Sequence, residues 1–204
     1  MKIISYFTRL TPYEQVANEF IIPSVKKWNL SHDIKAIKDL GSWQLNTGYK
    51  ATFIKEMLLK HKEPIVFIDC DGEIVKYPEL LYKIPDNIDI GYFHFNWFHH
   101  WRNQPENTSN IQLLSGTMYF NYSEKVLLLI DEWIKNVEEN THEWEQKTLQ
   151  NIVYTRNDLN IYKLPAEYCT VLMHDYSLPK YVIDPIIIHW QRSRLYKNRR
   201  SWND

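Results

Sequence analysis

The chain has 204 residues, a formal net charge of −1 at pH 7 and two cysteines, which excludes a disulfide-stapled scaffold and any global attraction to nucleic acid or an anionic membrane. Hydrophobic residues make up 44% and charged residues 24%, so the chain is globular rather than disordered and long enough to bury a sizeable core. Aromatics reach 15%, with eight Trp and fourteen Tyr, more than a core of this size requires, so some are expected on a binding surface. No apolar run approaches membrane-spanning length and no signal peptide is visible, so a cytoplasmic protein without a transmembrane segment and without a nucleic-acid partner is expected.

Residues 3–7 read as a first strand. Thr11-Pro12-Tyr13-Glu14 has the form of a capping box and predicts a helix that runs on through Val16, Phe20 and Ile21. A second strand is expected at residues 34–37. Asn46 or Thr47 can cap the next helix, whose inner face carries Ala51, Ile54, Met57, Leu58 and His61 and which ends at Pro64. Then comes Pro64-Ile65-Val66-Phe67-Ile68-Asp69-Cys70-Asp71-Gly72, an apolar run bounded by Pro and Gly. That is the pattern of a strand buried on both faces of a parallel sheet. Strand, helix, strand, helix, strand predicts an α/β fold, Rossmann-like, with a mixed, mostly parallel central sheet flanked by helices.

The second half is more mixed. Residues 89–95 look like a strand, 96–110 like an aromatic and polar loop, and 111–120 like a strand interrupted by Ser115-Gly116. Ser123 caps a helix carrying Val126, Leu127, Ile130, Trp133, Ile134 and Val137, and a further helix is expected over about residues 143–154. Short strands follow near Ile161, at 168–173 and at 186–188, and the tail after His189 is basic. No repeat or linker divides the chain.

The chemistry gathers at strand ends. Asp69 and Asp71 sit where the central strand runs out, at the sheet edge where open α/β folds bind ligands. Two acids there repel unless a cation lies between them, and a divalent metal bridging to a phosphate is the usual solution. The plainer alternative is an Asp-Gly turn. His189 ends the apolar run 186–188 and can reach the same edge; an imidazole beside carboxylates suits manganese better than magnesium. A core histidine bonded to a carbonyl is the alternative. Lys50 is either a phosphate contact or a solvated helical lysine. Gly116 permits close approach of a ligand or marks a β-bulge. Glu145-Gln146 opens a helix, where the dipole alone favours an acid. In the run 92–101, period-two spacing puts Tyr92, His94 and Asn96 on one face and Phe93, Phe95 and Trp97 on the other. The Trp–His cluster beyond can form a sugar platform or an acceptor-binding loop, and its histidines fit no standard zinc spacing. Arg192 and Arg194 can clamp a diphosphate; a solvated terminus is the alternative.

On these residues the chain resembles glycosyltransferases of the GT-A type, and more narrowly the small nucleotide-diphospho-sugar transferases with a DxD motif. The likeness is carried by 43–50 (Trp43-Gln44-Leu45-Asn46-Thr47-Gly48-Tyr49-Lys50), 66–71 ending in Asp69-Cys70-Asp71, 114–120 around Ser115-Gly116, and Ile187-Ile188-His189-Trp190. The resemblance implies one domain over 1–204, with a nucleotide-binding half of about 1–95, an acceptor- and metal-completing half of about 96–195 and a basic tail at 192–204. It implies a metal group of Asp69, Asp71 and His189, with Asp71 and His189 as direct ligands of Mn2+ (or Mg2+) and Asp69 on the ribose or sugar. Lys50, Ser115, Gly116, Arg192 and Arg194 would bind the donor, and Glu145 with Asp71 would be the catalytic pair. The partners implied are a UDP-sugar and an acceptor hydroxyl on a carbohydrate, a lipid-linked molecule or a protein. The chain departs from the pattern at Gly72-Glu73, where an apolar residue is commoner, and in having no stalk. The segment 67–72 also resembles the first motif of haloacid-dehalogenase-type phosphatases, with Asp69 as nucleophile and Asp71 as general acid. Against that stand Glu73 in place of Thr or Val, the two βα units before the motif and the lack of a late Asp pair. A non-enzymatic sugar-binding module would leave the strand-end polar clusters unexplained.

Overall fold

The structure, a computed structural model, describes residues 1–102 and 111–196. Strand β1 (Lys2–Thr8) leads into α1 (Pro12–Glu19), capped by the Thr11 hydroxyl, which accepts from the Tyr13 amide. Glu14 reaches back to the Leu10 amide at 2.9 Å rather than to Thr11. The expected single helix is two: the chain breaks at Phe20 and resumes as α2 (Ile21–Lys27). Pro23 lies in the first turn of α2, where it has no amide to donate and its ring would clash with the carbonyl of Glu19 if the helix were continuous.

β2 (His32–Ile37) is followed by α3 (Trp43–His61). This helix starts three to four residues before the expected cap: the Ser42 hydroxyl accepts from the Leu45 amide at 3.1 Å. Asn46 instead bonds the Leu40 amide and the Asp39 carboxylate, tying the preceding loop to the helix. The helix ends with Lys62 in the left-handed region, two residues before Pro64. β3 (Ile65–Ile68) is fully buried, each residue at most 1% exposed, and at about 1.5–3 kcal/mol per large apolar side chain this run anchors the sheet.

The short β4 (Gly72–Ile74) precedes β5 (Ile90–Asn96). The segment expected to be loop begins with a helix, α4 (Trp97–Arg102), whose first turn is capped by Asn96 accepting from the His99 amide at 3.0 Å; 103–110 lie outside the described residues. β6 (Ile111–Phe120), α5 (Glu124–Glu139, capped by Ser123) and α6 (Glu145–Thr155) follow, then β7 (Ile161–Lys163), β8 (Thr170–Val171), β9 (Ile187–His189) and α7 (Ser193–Tyr196). The strand expected over 168–173 shortens to β8 because the residues before it form a helical turn.

The main sheet has the order β2-β1-β3-β6-β5-β7. β1 pairs in parallel with β2 and β3, β5 in parallel with β7, and β6 runs antiparallel to both its neighbours. The α/β architecture read from the sequence is therefore present. Alternation along β3 sends Ile65 and Phe67 against α3, α5 and α6, while Val66 and Ile68 face α1, α2 and the second sheet. That second sheet, β4-β9-β8, pairs Gly72 with His189. Among the described residues, no helix is long and apolar enough to cross a membrane.

Candidate functional site

Three segments meet where β3 ends. The Asp69 amide donates to the Gly116 carbonyl at 2.9 Å and the Gly72 amide to the Asp69 carbonyl at 2.8 Å, so Asp69-Cys70-Asp71 forms a tight turn between the two sheets. A Cβ on Gly72 would come within 2.4 Å of the Ile68 side chain and 3.0 Å of the Asp69 carbonyl, so the turn requires glycine. The antiparallel pairing of β4 with β9 then delivers His189 beside Asp71. Glu73, the departure from the resembled pattern, accepts from the Trp190 indole at 2.9 Å across the same pair of strands.

Asp69, Asp71 and His189 each offer one ligand atom, and these atoms lie within 4.8 Å of one another. His189 Nδ1 stands 3.6 Å from Asp71 Oδ1. The remaining polar atoms are committed: Asp71 Oδ2 accepts from the Arg192 amide at 3.0 Å, and His189 Nε2 shares a hydrogen bond with the Thr117 hydroxyl at 2.8 Å. Burial alone would push the His189 imidazole down, but the Cys169 sulfur and the Asp71 carboxylate beside it raise it to about 10. The crowding of protein around Asp69 pushes its carboxyl up, opposed by the Lys50 ammonium and reinforced by Asp71.

The bulge in β6 makes the room. Opposite the adjacent Tyr92 and Phe93 of β5, β6 skips from Met118 to Leu114, which displaces Ser115-Gly116-Thr117 from the β5 ladder while Thr117 stays paired with Ile68 of β3. The β-bulge reading of Gly116 holds, and the group packed against it is the protein's own His189 ring, 2.9–3.2 Å from where a Cβ would stand. On the other side of the bulge, buried Lys50 lies 3.0 Å from each of Asp69 Oδ1, Glu145 Oε1 and Ser115 Oγ, and 3.3 Å from the Ser115 carbonyl. Burial would lower this ammonium, but the carboxylates of Asp69 and Glu145 win and hold it above the usual lysine value. Gln146 closes the network by accepting from the Ser115 amide at 3.1 Å. These residues share one cleft of about 1030 Å³, large enough for a nucleotide sugar.

Comparison with solved structures follows from this geometry. A glycosyltransferase involved in the glycosylation of the major capsid of PBCV-1 superposes with a TM-score of 0.70 over 96% of both chains, at 18% identity. Mouse xyloside xylosyltransferase 1, in its apo form, gives 0.57 over 94% of this chain and 98% of its own, at 10% identity. The bifunctional glycosyltransferase WbbM gives 0.60 over 94% of this chain and 45% of its own, at 13% identity. The chain shares its fold with these glycosyltransferases. No protein-family model matches the sequence, and no curated protein matches it.

Within this fold the sequence-predicted residues divide. Lys50, Asp69, Asp71, Ser115, Gly116, Glu145, His189 and Arg194 all line the cleft. The Arg192 side chain does not: its guanidinium packs over Phe20 and Trp190 and meets Glu19 at 3.3 Å, so its link to the site is the backbone amide on Asp71. The Arg194 guanidinium donates to the Leu172 and Met173 carbonyls and lies over the Trp101 ring, which places it at the rim. Gln146, named in the sequence together with Glu145, accepts from Ser115; Thr117, Trp43 and Trp144 were not singled out. Thr117 is an ordinary polar residue whose bond to His189 joins segments far apart in the chain. The two tryptophans carried the signal of aromatic excess, and Trp43 lay inside a segment already singled out.

Proposed function

We propose that the protein is a metal-dependent glycosyltransferase that moves a sugar from a nucleoside diphosphate, UDP by preference, to an acceptor hydroxyl. It would do so as one catalytic domain with the nucleotide-binding and acceptor halves set out above. The observation that carries this reading is the convergence of Asp69, Asp71 and His189 inside the cleft of a glycosyltransferase fold. The donor set suits manganese: two carboxylates and one imidazole, each already oriented by a second partner. A divalent ion bound there supplies charge for the diphosphate that departs.

The chain's own residues supply the rest. Asp71 and His189 are the direct ligands, held by the Arg192 amide and Thr117. Asp69 faces the donor ribose or sugar, with Lys50 fixing its carboxylate. Ser115 and Gly116 form the floor. Glu145 stands on the acceptor side, paired with Lys50 at 3.0 Å. Lys50 spends its three donors on four protein oxygens, so it acts on the donor through Asp69 rather than by direct contact. The sheet edge that holds these groups is also where negative charge develops as the sugar–phosphate bond breaks.

A thermal-shift panel of nucleotide sugars with and without manganese tests the proposal. At ligand a hundredfold above Kd, native-state binding adds about 2.7 kcal/mol, or roughly 5–11 °C for a domain of this size. Asp71→Ala should abolish the manganese-dependent part. No shift with any nucleotide sugar, or the same shift in the variant, would refute it. Phosphate release from an aryl phosphate would assign Asp69 as a nucleophile instead.

A further inference from the structure

The same cleft has an aromatic wall that the metal cluster and the Lys50 network leave unused. Trp43 is the first residue of α3 and Trp144 immediately precedes α6. Their indoles meet edge to face, with centroids 6.4 Å apart and planes at 82°, and both line the cleft. Trp144 is 55% exposed. A large apolar ring left in water at a concave surface costs hydrophobic free energy that core packing does not recover, which makes it informative where a scattered exposed leucine is not.

The backbone that carries the wall is tied to the site. α3 and α6 are joined two turns from Trp43 by the buried pair of Lys50 and Glu145 at 3.0 Å. The Trp144 carbonyl accepts from the Lys147 and Thr148 amides at 2.9 and 3.1 Å, and the Trp133 indole donates to the Glu145 carbonyl at 2.8 Å. Trp144 is thus fixed relative to Asp69 through the short relay Glu145, Lys50, Asp69. Gln112 and Gln146 line the same cleft, and an exposed aromatic ring in a cleft that also carries polar side chains is a surface for a ligand with one apolar face and a polar rim.

We infer that the Trp43–Trp144 wall is the acceptor subsite, and that the acceptor is a sugar whose pyranose ring lays its C–H face on the Trp144 indole. This rests on the proposed transferase reading. With the diphosphate at Asp71 and His189 and the donor sugar at Asp69, Lys50 joins that donor contact to Glu145 at 3.0 Å on each side. Trp144 is the residue next to Glu145 in the chain. A nucleobase has other aromatic partners in Tyr6 of β1 and Tyr13 of α1, which line the cleft.

The test uses the full chain with manganese and UDP, and methyl α- and β-hexopyranosides as probes, read by saturation-transfer NMR with and without the nucleotide. Trp144→Ala should weaken pyranoside binding at least tenfold and leave the UDP–manganese thermal shift unchanged; Trp144→Phe should recover part of the loss. Because Trp144 makes no side-chain cap bond, the variant is expected to fold. Loss of UDP binding in Trp144→Ala would assign the indole to the nucleobase and overturn the inference. Pyranoside binding equal in variant and wild type, or absent from the wild type, would also overturn it while leaving the nucleotide result standing. Absence of any UDP–manganese shift in the wild type strikes the transferase reading instead.

Discussion

Replacing Lys50 by Met is the sharpest perturbation the fold offers. The substitution keeps most of the side chain's volume and removes the ammonium, which lies 5.0 Å from the centre of the Phe67 ring. Two carboxylates lose their counterion. They do not suffer equally, because the Asp69 side chain is 38% exposed and can recover water, whereas that of Glu145 is 6% exposed and cannot. The cost is therefore set by Glu145, and breaking a buried pair from one side costs about 3–5 kcal/mol. For a domain of this size that lowers Tm by about 6–20 °C. Adding Glu145→Gln should return most of the loss, since the amide needs no counterion and can still accept from Ser115. The assay is thermal unfolding of the two single variants and the double variant at pH 7. A Lys50→Met variant within about 1 kcal/mol of wild type would refute the reasoning, as this is below any cost of an uncompensated buried charge. So would a double variant no more stable than the single one. Donor affinity in the double variant also separates direct contact from positioning: Lys50 acting through Asp69 predicts a modest loss, and a direct phosphate contact a complete one.

Two further outcomes follow from individual residues. Gly116→Ala places a methyl 2.9–3.2 Å from three atoms of the His189 ring, so the imidazole must tilt away from Asp71 and manganese affinity should fall by about 10–100-fold, as for loss of an orienting partner; calorimetric manganese titration of the folded variant checks this, and unchanged affinity would mean that His189 is not a ligand. Asp33→Asn removes the charge from the acceptor of Lys60 and His61 at the edge of β2. Burial opposes ionisation of Asp33, but hydrogen bonds from Lys60 and His61 outweigh it and hold the carboxyl below its usual value. A depressed folded value gives stability that is present above the unfolded value of about 3.9 and lost as pH falls through the folded one. The variant should thus be less stable than wild type at pH 7, with the difference vanishing in strong acid; a difference that persists there would refute the charge assignment.

Much of the fold was legible because β3 and β9 are apolar on both faces and then stop at polar residues. A run such as Ile65–Ile68 tolerates no other placement, and the charges that follow it mark the sheet edge. Helix α5 was legible for a different reason: Ser123 caps it, and its apolar residues keep helical spacing. The start of α3 was misread because Asn46 is as good a cap as Ser42 by type, and only the loop it ties down shows that its side chain is spent on Leu40 and Asp39. The direction of Arg192 was beyond reach for a similar reason. Its two roles separate in space, the amide turning to Asp71 and the guanidinium to Glu19.

The site itself divides along the same line. Residues that would touch a ligand announce themselves, because a carboxylate at the end of a buried strand is a charge problem visible in one dimension. Residues that hold them in place do not, because their types are common and their work depends on a partner far away in the chain. Thr117 orients His189 from 72 residues off, and Lys50 binds Ser115 across 65. The link between the two classes is the β6 bulge. At the bulge Ser115, Gly116 and Thr117 have no partner in β5, and the His189 ring packs against Gly116. The Ser-Gly step was therefore the second most informative feature of the sequence after the acid pair. One strand meets the Asp69–Asp71–His189 group with Gly116 and Thr117 and the Lys50 network with Ser115. Any substitution that restores regular pairing there should disable both at once.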